Sequence, residues 1–467
     1  MEANDLAYAG AAQQSRMIAS GEATAREVVE ATLARIDQVN PLINSYRVVF
    51  ADEALAEADK IDAAGASDGS QPMRGVPVAI KDDTEVLGER TAWGSLATDP
   101  NPAPHDADVV TRLREAGAII IGKTNVPELT VWPFTETLAF GATRNPWNID
   151  YAAGGSSGGS GAAAAAGLCG VAHGSDGAGS VRIPAAFNGL FGLKTQRERI
   201  SLGPDHIDGW NGMTVYGPLS RTVSDAALFL DATADGGPDG GYLAALSAPV
   251  QPMRIAISLK SPPGSITKLG AEQRAAIDDT AAALRELGHQ VFEQEIDYPV
   301  AAFVSTVARY LRSVTDDVAT LPHPERLEQR TTNMARLGGL ISDRRLAQAR
   351  AAEPAVAAQV NTIFENADAV LMPGTAAAPF KIGQLHGRGA LLTLNAAASR
   401  VPWYGVWNAI GQPASSVPAG FDSNGLPLSV QFGAAPGDEL SLLRIAAQLE
   451  LVRPWVQARP QLDGPAQ

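Results

Sequence analysis

Three short stretches of this 467-residue chain carry residues that could do covalent chemistry together: Lys81 in GVPVAIKDD, the tract GGSSGGSG from Gly154 to Gly161, and GSDGAGSVRIP from Gly174 to Pro184. If they converge, they supply a base, a relay hydroxyl and a nucleophile beside a run of backbone donors, which is equipment for hydrolysing an acyl group. An amide is a poor electrophile with a poor leaving group, so its hydrolysis needs an activated nucleophile, donors for the oxyanion and a proton for the departing amine. A serine hydroxyl needs a neighbouring base. With no histidine in a recognisable context, the best candidate is a lysine whose ammonium form is destabilised by burial. Lys81 ends the apolar run GVPVAI, which can carry its stem inward. The alternative is an exposed lysine at a strand end, paired with Asp82 or Asp83.

The small residues before Ser180 let several backbone N–H groups converge on one oxygen, so Gly177, Ala178, Gly179 and Ser180 are assigned to an oxyanion hole. Asp176 and Arg182 flank the nucleophile with opposite charges, and an ion pair between them would clamp the loop. The alternative is a surface pair worth less than about 1 kcal/mol. Ser157 and Ser160 read as hydrogen-bonding support. Gly155 to Gly159 also matches G-x-S-x-G, which would make Ser157 an esterase nucleophile, but NIDYAA before it is a poor strand and no downstream histidine has a fitting context. His173, beside the third stretch, reads as a packing residue. A literal G-x-x-x-x-G-K-T from Gly117 to Thr124 holds Ala118 to Ile121, a buried-strand run and no phosphate cradle.

These stretches resemble the amidase signature family. So do IIGKTNVPEL (120–129), FGATRNPWN (140–148), GPLSRTVSDAALFLD (217–231) and GQPASSVPAGF (411–421). The resemblance implies a Ser-Ser-Lys triad with Ser180 as nucleophile, Ser156 as bridging serine and Lys81 as base, a cis Gly155–Ser156 peptide, and no metal or organic cofactor. The family usually has Gly where this chain has Ala178 and commonly a larger residue at Gly177. It further implies an amidase acting on a small carboxamide and releasing a carboxylic acid and ammonia or an amine. Trp132, Phe134, Trp210 and Trp403 are the candidates for an aromatic pocket favouring a hydrophobic or aryl substrate. Two rivals are the A subunit of a glutamyl-tRNA amidotransferase, which usually has glutamine where this chain has Ile183, and the Ser157 esterase.

Those residues need elements to hold them. Helices are expected over Leu6 to Ser20, ended by Gly21, and after Thr24, with Val28, Val29, Leu33 and Ile36 on one face until Asn40-Pro41 stops it. Val76 to Ile80 and Ala118 to Ile121 read as strands around a helix at Val109 to Glu115, an alternation that predicts an α/β fold. AAAAAGL at 162–168 reads as a small-residue helix containing Gly167. Strands are expected at Ile255 to Ser258 and Ala369 to Gly374, and Pro354 should kink or divide a helical stretch from Leu346 to Asn366. The family resemblance implies that the whole is one large domain, a central mixed β-sheet covered by helices on both faces. Its parts are N-terminal helices (1–66), a core carrying the triad (70–235), a variable region (236–370) and a C-terminal return to the sheet (371–467).

Charge and composition exclude other classes. With 36 basic against 51 acidic residues, net −15, the surface opposes a polyanion, so no nucleic-acid partner is expected. No apolar stretch of about 18–20 residues argues for a membrane span. Cys169 is the only cysteine, which excludes an internal disulfide and a thiolate metal cluster. The acidic N-terminal stretch lacks a leader pattern, and a cytoplasmic location is expected. A homodimer is common among relatives, but no residue demonstrates one here.

Overall fold

Alternation along the apolar runs sets the architecture of the computed structural model, which describes residues 3–65, 69–264 and 267–462. Successive side chains of a strand point to opposite faces. Val78 and Ile80 accordingly enter one core cluster while Ala79 enters another. Ile120 likewise parts from Ile119 and Ile121, and Val171 from Ala172. Both faces are therefore apolar and both carry helices. Helices Asp108–Glu115, Val223–Thr233, Ala271–Glu286 and Glu439–Val452 cover one face. Ala25–Ile43, Ala51–Ala63 and Gly158–Ala165 cover the other.

The strands are β1 (Tyr46–Val49), β2 (Pro77–Lys81), β3 (Ile119–Thr124), β4 (Val171–Asp176), β5 (Phe191–Lys194), β6 (Val215–Ser220), β7 (Arg254–Ile257), β8 (Gln290–Glu293), β9 (Ala369–Pro373), β10 (Ala414–Phe421) and β11 (Pro427–Ala434). They form one 11-stranded sheet in the order β1-β3-β2-β4-β6-β5-β10-β11-β9-β7-β8. β3, β2 and β4 run parallel, as do β9, β7 and β8, and the strands between them pair antiparallel. This is a single domain with a mixed sheet between helical layers. Each of the four expected stretches contributes at least one strand; residues 1–2, 66, 265–266 and 463–467 of them lie outside the described residues.

Some local expectations give way. Pro41 does not stop its helix, which runs to Ile43 and closes on left-handed Asn44. A proline this near the end removes one bond only, and the Asn40 side chain accepts the amides of Ser45 and Tyr46 at 2.8 and 2.9 Å. The helix after the glycine tract begins inside it, at Gly158, and ends at Ala165, so Gly167 is no interior residue. It follows the helix at φ +70°, where glycine is favoured. NIDYAA does contain a strand, Asn148–Ala152, but one paired with Arg144–Asn145 in a separate ribbon. Pro354 stands in the first turn of Glu353–Val360 and separates it from Asp343–Ala351.

Candidate active site

Lys81 is the last residue of β2 and Asp176 the last of β4. The two strands are parallel neighbours, so both residues emerge at the same carboxyl edge, where α/β sheets bind ligands. Alternation puts Lys81 on the face of Ala79, against the helix that follows the glycine tract. It is fully buried. Its Nζ donates to Ser156 Oγ at 2.7 Å and to Ser175 Oγ at 2.6 Å, and lies 3.2 Å from Asp83 Oδ2. Burial pushes the ammonium below its ordinary pKa, and the Asp83 and Asp176 carboxylates oppose that shift. Burial pushes Asp83 up, yet Lys81, the Ser175 hydroxyl (2.5 Å) and His173 hold it below the usual carboxylate range. Lys81 is thus both buried, as a base must be, and paired with Asp83.

The glycine tract wraps this lysine. Gly155–Ser156 is cis. A Cβ on Gly155 would lie 2.5 Å from the Trp132 carbonyl oxygen and 2.6 Å from the Phe134 nitrogen, so only glycine fits there. Ser157 is buried; its Oγ donates to the Ser175 carbonyl at 3.2 Å and its N–H to the Ser180 carbonyl at 3.2 Å, tying two loops together. Ser160 donates to the His173 carbonyl at 2.8 Å. The His173 ring is buried edge-on to Tyr216, and burial drops it to about 4, so it is neutral.

Beyond β4, Asp176 organises the Ser180 loop. Its carboxylate accepts the Gly179 N–H at 2.6 Å, the Val181 N–H at 3.2 Å and both Arg182 Nε and Nη2 at 3.0 Å. Both side chains are fully buried, so this pair is no surface contact. Arg182 goes on to Gln431 and Asn408 at 2.8 and 2.7 Å. Burial pushes the Asp176 carboxyl up, but Arg182, Lys194 and Asn408 outweigh it and hold it far below the usual range. One oxyanion assignment is corrected here: the Gly179 N–H is directed at Asp176. The amides of Gly177, Ala178 and Ser180 have no acceptor among the described residues. Positive φ falls on Gly179 (+118°) and not on Ala178, so the alanine Cβ is accommodated.

Ser180, 9 % exposed, lines a narrow cavity of about 60 Å³ with Ser156, Ser175, Gly177, Asp83 and Trp210. No hydrogen bond joins the Ser180 hydroxyl to another group among the described residues, Ser156 included; catalytic bonds are often long before substrate binds. Of the four aromatic candidates only Trp210 lines this cavity. Trp132 and Phe134 stack on each other in a core cluster behind the glycine tract, and Trp403 is buried with its N–H on the Lys260 carbonyl. Large aromatics fill cores first. Other wall residues include Trp93, Thr130, Tyr216, His206 and Asp317, none of them assigned to the site by sequence. Of the wall residues left unassigned, Asp83 is weighed from sequence as a partner of Lys81, and Ser175 carries a signal through adjacency to Asp176. Among the described residues no group of three His, Cys, Asp or Glu side chains is placed to hold a metal ion.

The Amidase family profile matches residues 27–443. The chain belongs to the amidase family. It is accordingly an amidohydrolase. It is 49% identical over 464 residues to "Putative amidase AmiB2" of Mycobacterium tuberculosis, covering 99% of this chain and 100% of that protein. To the 6-aminohexanoate-cyclic-dimer hydrolase of Paenarthrobacter ureafaciens it is 35% identical, across 98% and 97% of the two chains. A solved structure of a 6-aminohexanoate cyclic dimer hydrolase with substrate superposes at TM-score 0.86 with 33% identity, covering 98% of this amidase and 100% of the other. A bacterial aryl acylamidase of the amidase signature family superposes at 0.83 with 25% identity, covering 96% and 97%. No helix among the described residues is long and apolar enough to cross a membrane.

Proposed function

We propose that this amidase cleaves the C–N bond of a small hydrophobic or aryl carboxamide through an acyl-enzyme on Ser180. The observation that carries the reading is the buried Lys81 Nζ to Ser156 Oγ bond of 2.7 Å at a cavity lined by Ser156, Gly177 and Ser180, the last two with amides that have no acceptor among the described residues. Neutral Lys81 takes the Ser156 proton as Ser156 takes that of Ser180, whose Oγ bonds to the carbonyl carbon. The Gly177, Ala178 and Ser180 N–H groups receive the oxyanion. On collapse the C–N bond breaks and the proton returns through Ser156 to the leaving nitrogen. Water then attacks the ester, gives its proton back along the same relay, and releases the acid with Ser180 restored. Trp93, Trp210 and Tyr216 offer rings to an apolar or aryl group. A cytoplasmic location belongs to the same reading and agrees with a lone cysteine that is buried and unpaired.

Neither rival draws support. Ser157 is buried outside the cavity and its hydroxyl is engaged. Ile183 packs into an apolar cluster with Phe187 and Tyr404, where an amidotransferase A subunit usually carries a polar glutamine. The test is labelling by a fluorophosphonate with peptide mapping, beside amide turnover by Ser180→Ala and Lys81→Ala. An adduct on Ser180, loss of turnover in the first variant and a changed rate and pH profile in the second are expected. Wild-type turnover by Ser180→Ala would remove the nucleophile, and an unchanged profile for Lys81→Ala would remove the base.

A further inference from the structure

The Ser180 cavity opens outward. Trp93, His206 and Asp317 line both it and a wider cavity of about 500 Å³, so the two meet at these three side chains. No lysine or arginine lines either cavity. Of the carboxylates in the outer one, Glu85 holds the His206 ring at 3.0 Å, Asp205 holds His105 at 2.8 Å and Asp99 accepts the Asn101 amide at 2.9 Å. Asp317 differs. Its helix neighbour Asp316 takes Arg312 at 2.7 Å, while the Asp317 carboxylate has no hydrogen bond or ion pair among the described residues. Trp93 beside it is held in left-handed backbone, φ +49°, by its N–H to the Asp82 carbonyl at 3.0 Å and the Leu129 N–H to its own carbonyl at 2.8 Å. A bulky residue in that region is strained, and such strain collects where a side chain must be presented.

We propose that Asp317, with the Trp93 ring beside it, selects amides that carry a second, protonated amine several atoms from the scissile bond. The inference rests on Ser180 being the nucleophile and narrows its substrate class. A carboxylate unpartnered within the protein and an indole face are the two groups that recognise an alkylammonium, by charge-assisted hydrogen bonding and by cation–π attraction. Burial and Asp316 push the Asp317 carboxyl up to about 7, against the pull of His206, which is the behaviour of an acid whose counter-charge is missing. His206, the one basic group at the junction, is already committed to Glu85.

The test compares rates of Ser180 labelling by two alkyl fluorophosphonates, one ending in an ammonium group and the other in its methyl isostere, at chain lengths of four to eight carbons. Phosphonylation needs no known substrate. The wild-type protein should react about tenfold to a hundredfold faster with the ammonium probe at its best chain length. Asp317→Asn should bring the ratio near one, Asp317→Glu should keep it, and Asp317→Lys should invert it. A wild-type ratio of one or below, or one unaltered in Asp317→Asn, would overturn the proposal while leaving the nucleophile in place. No adduct on Ser180 from either probe would overturn the nucleophile reading and this inference with it.

Discussion

Asp83→Asn tests the electrostatics of Lys81, the proposed base. The Asp83 carboxylate stands 3.2 Å from Lys81 Nζ and favours the ammonium form, against the neutral form that proton transfer requires. Two unit charges at that separation interact by about 5 kcal/mol at an effective dielectric near 20. The asparagine dipole and the Ser156 and Ser175 hydroxyls recover part of that, so the Lys81 pKa should fall by about 1–3 units, as is common for close opposite charges. The assay is kcat/KM for a chromogenic amide from pH 5 to 10. Its acid limb reports loss of the proton from the free enzyme's base. That limb should move down by about 1–3 pH units in the variant. Stability gives a second readout. Lys81 in the variant would release its proton at lower pH than the same lysine in the unfolded chain, so the unfolded state binds more protons between those two values and stability rises with pH across that window. An acid limb that stays put or moves upward in a folded variant would refute the role given to Lys81.

Three further outcomes follow from packing and charge. A Cβ at Gly177 would lie 2.6 Å from the Trp210 ring, so Gly177→Ala should cost about 1–3 kcal/mol in denaturant unfolding and slow Ser180 labelling by up to about a hundredfold; an unchanged rate would mean that Trp210 does not shape the pocket. Arg182→Met leaves the Asp176 carboxylate buried without its partner and should cost about 3–5 kcal/mol, read from the same unfolding curves. Burial, with Asp225 nearby, pushes Glu450 up to about 8 against the Val223 N–H. A raised carboxyl contributes stability that is complete below its unfolded pKa and lost as pH rises through the folded one. Midpoints measured at pH 5, 6.5 and 8 should therefore fall less steeply for Glu450→Gln than for the wild-type protein.

What could be read from sequence was whatever local pattern encodes. The apolar run before Lys81 and the alternation of strands with helices are periodic signals, and they gave β2, β3 and the α/β class; the mixed sheet came from the family resemblance. Small residues around Ser156 and Ser180 announce close backbone approach, and the two loops do pack against each other. Direction within a loop is not periodic, so nothing announced that Gly179 turns its amide onto Asp176. Nor does an aromatic declare which side of a backbone it serves. Trp132, Phe134 and Trp403 fill core, whereas Trp93 and Trp210 face the cavity from left-handed positions that sequence gives no reason to expect. Asp317 is the extreme case: one of two adjacent acids on the helix Val300–Thr320, distinguished only by what the fold leaves opposite it.

Arg182 reaches forward to Asn408 and Gln431, 226 and 249 residues later in the chain. Lys81, Ser156 and Ser180 therefore leave the ribosome long before the clamp that fixes their loop has been made. The nascent protein should stay inert until its final strands are translated, and a message broken before codon 431 should yield a product with the whole proposed triad and no activity.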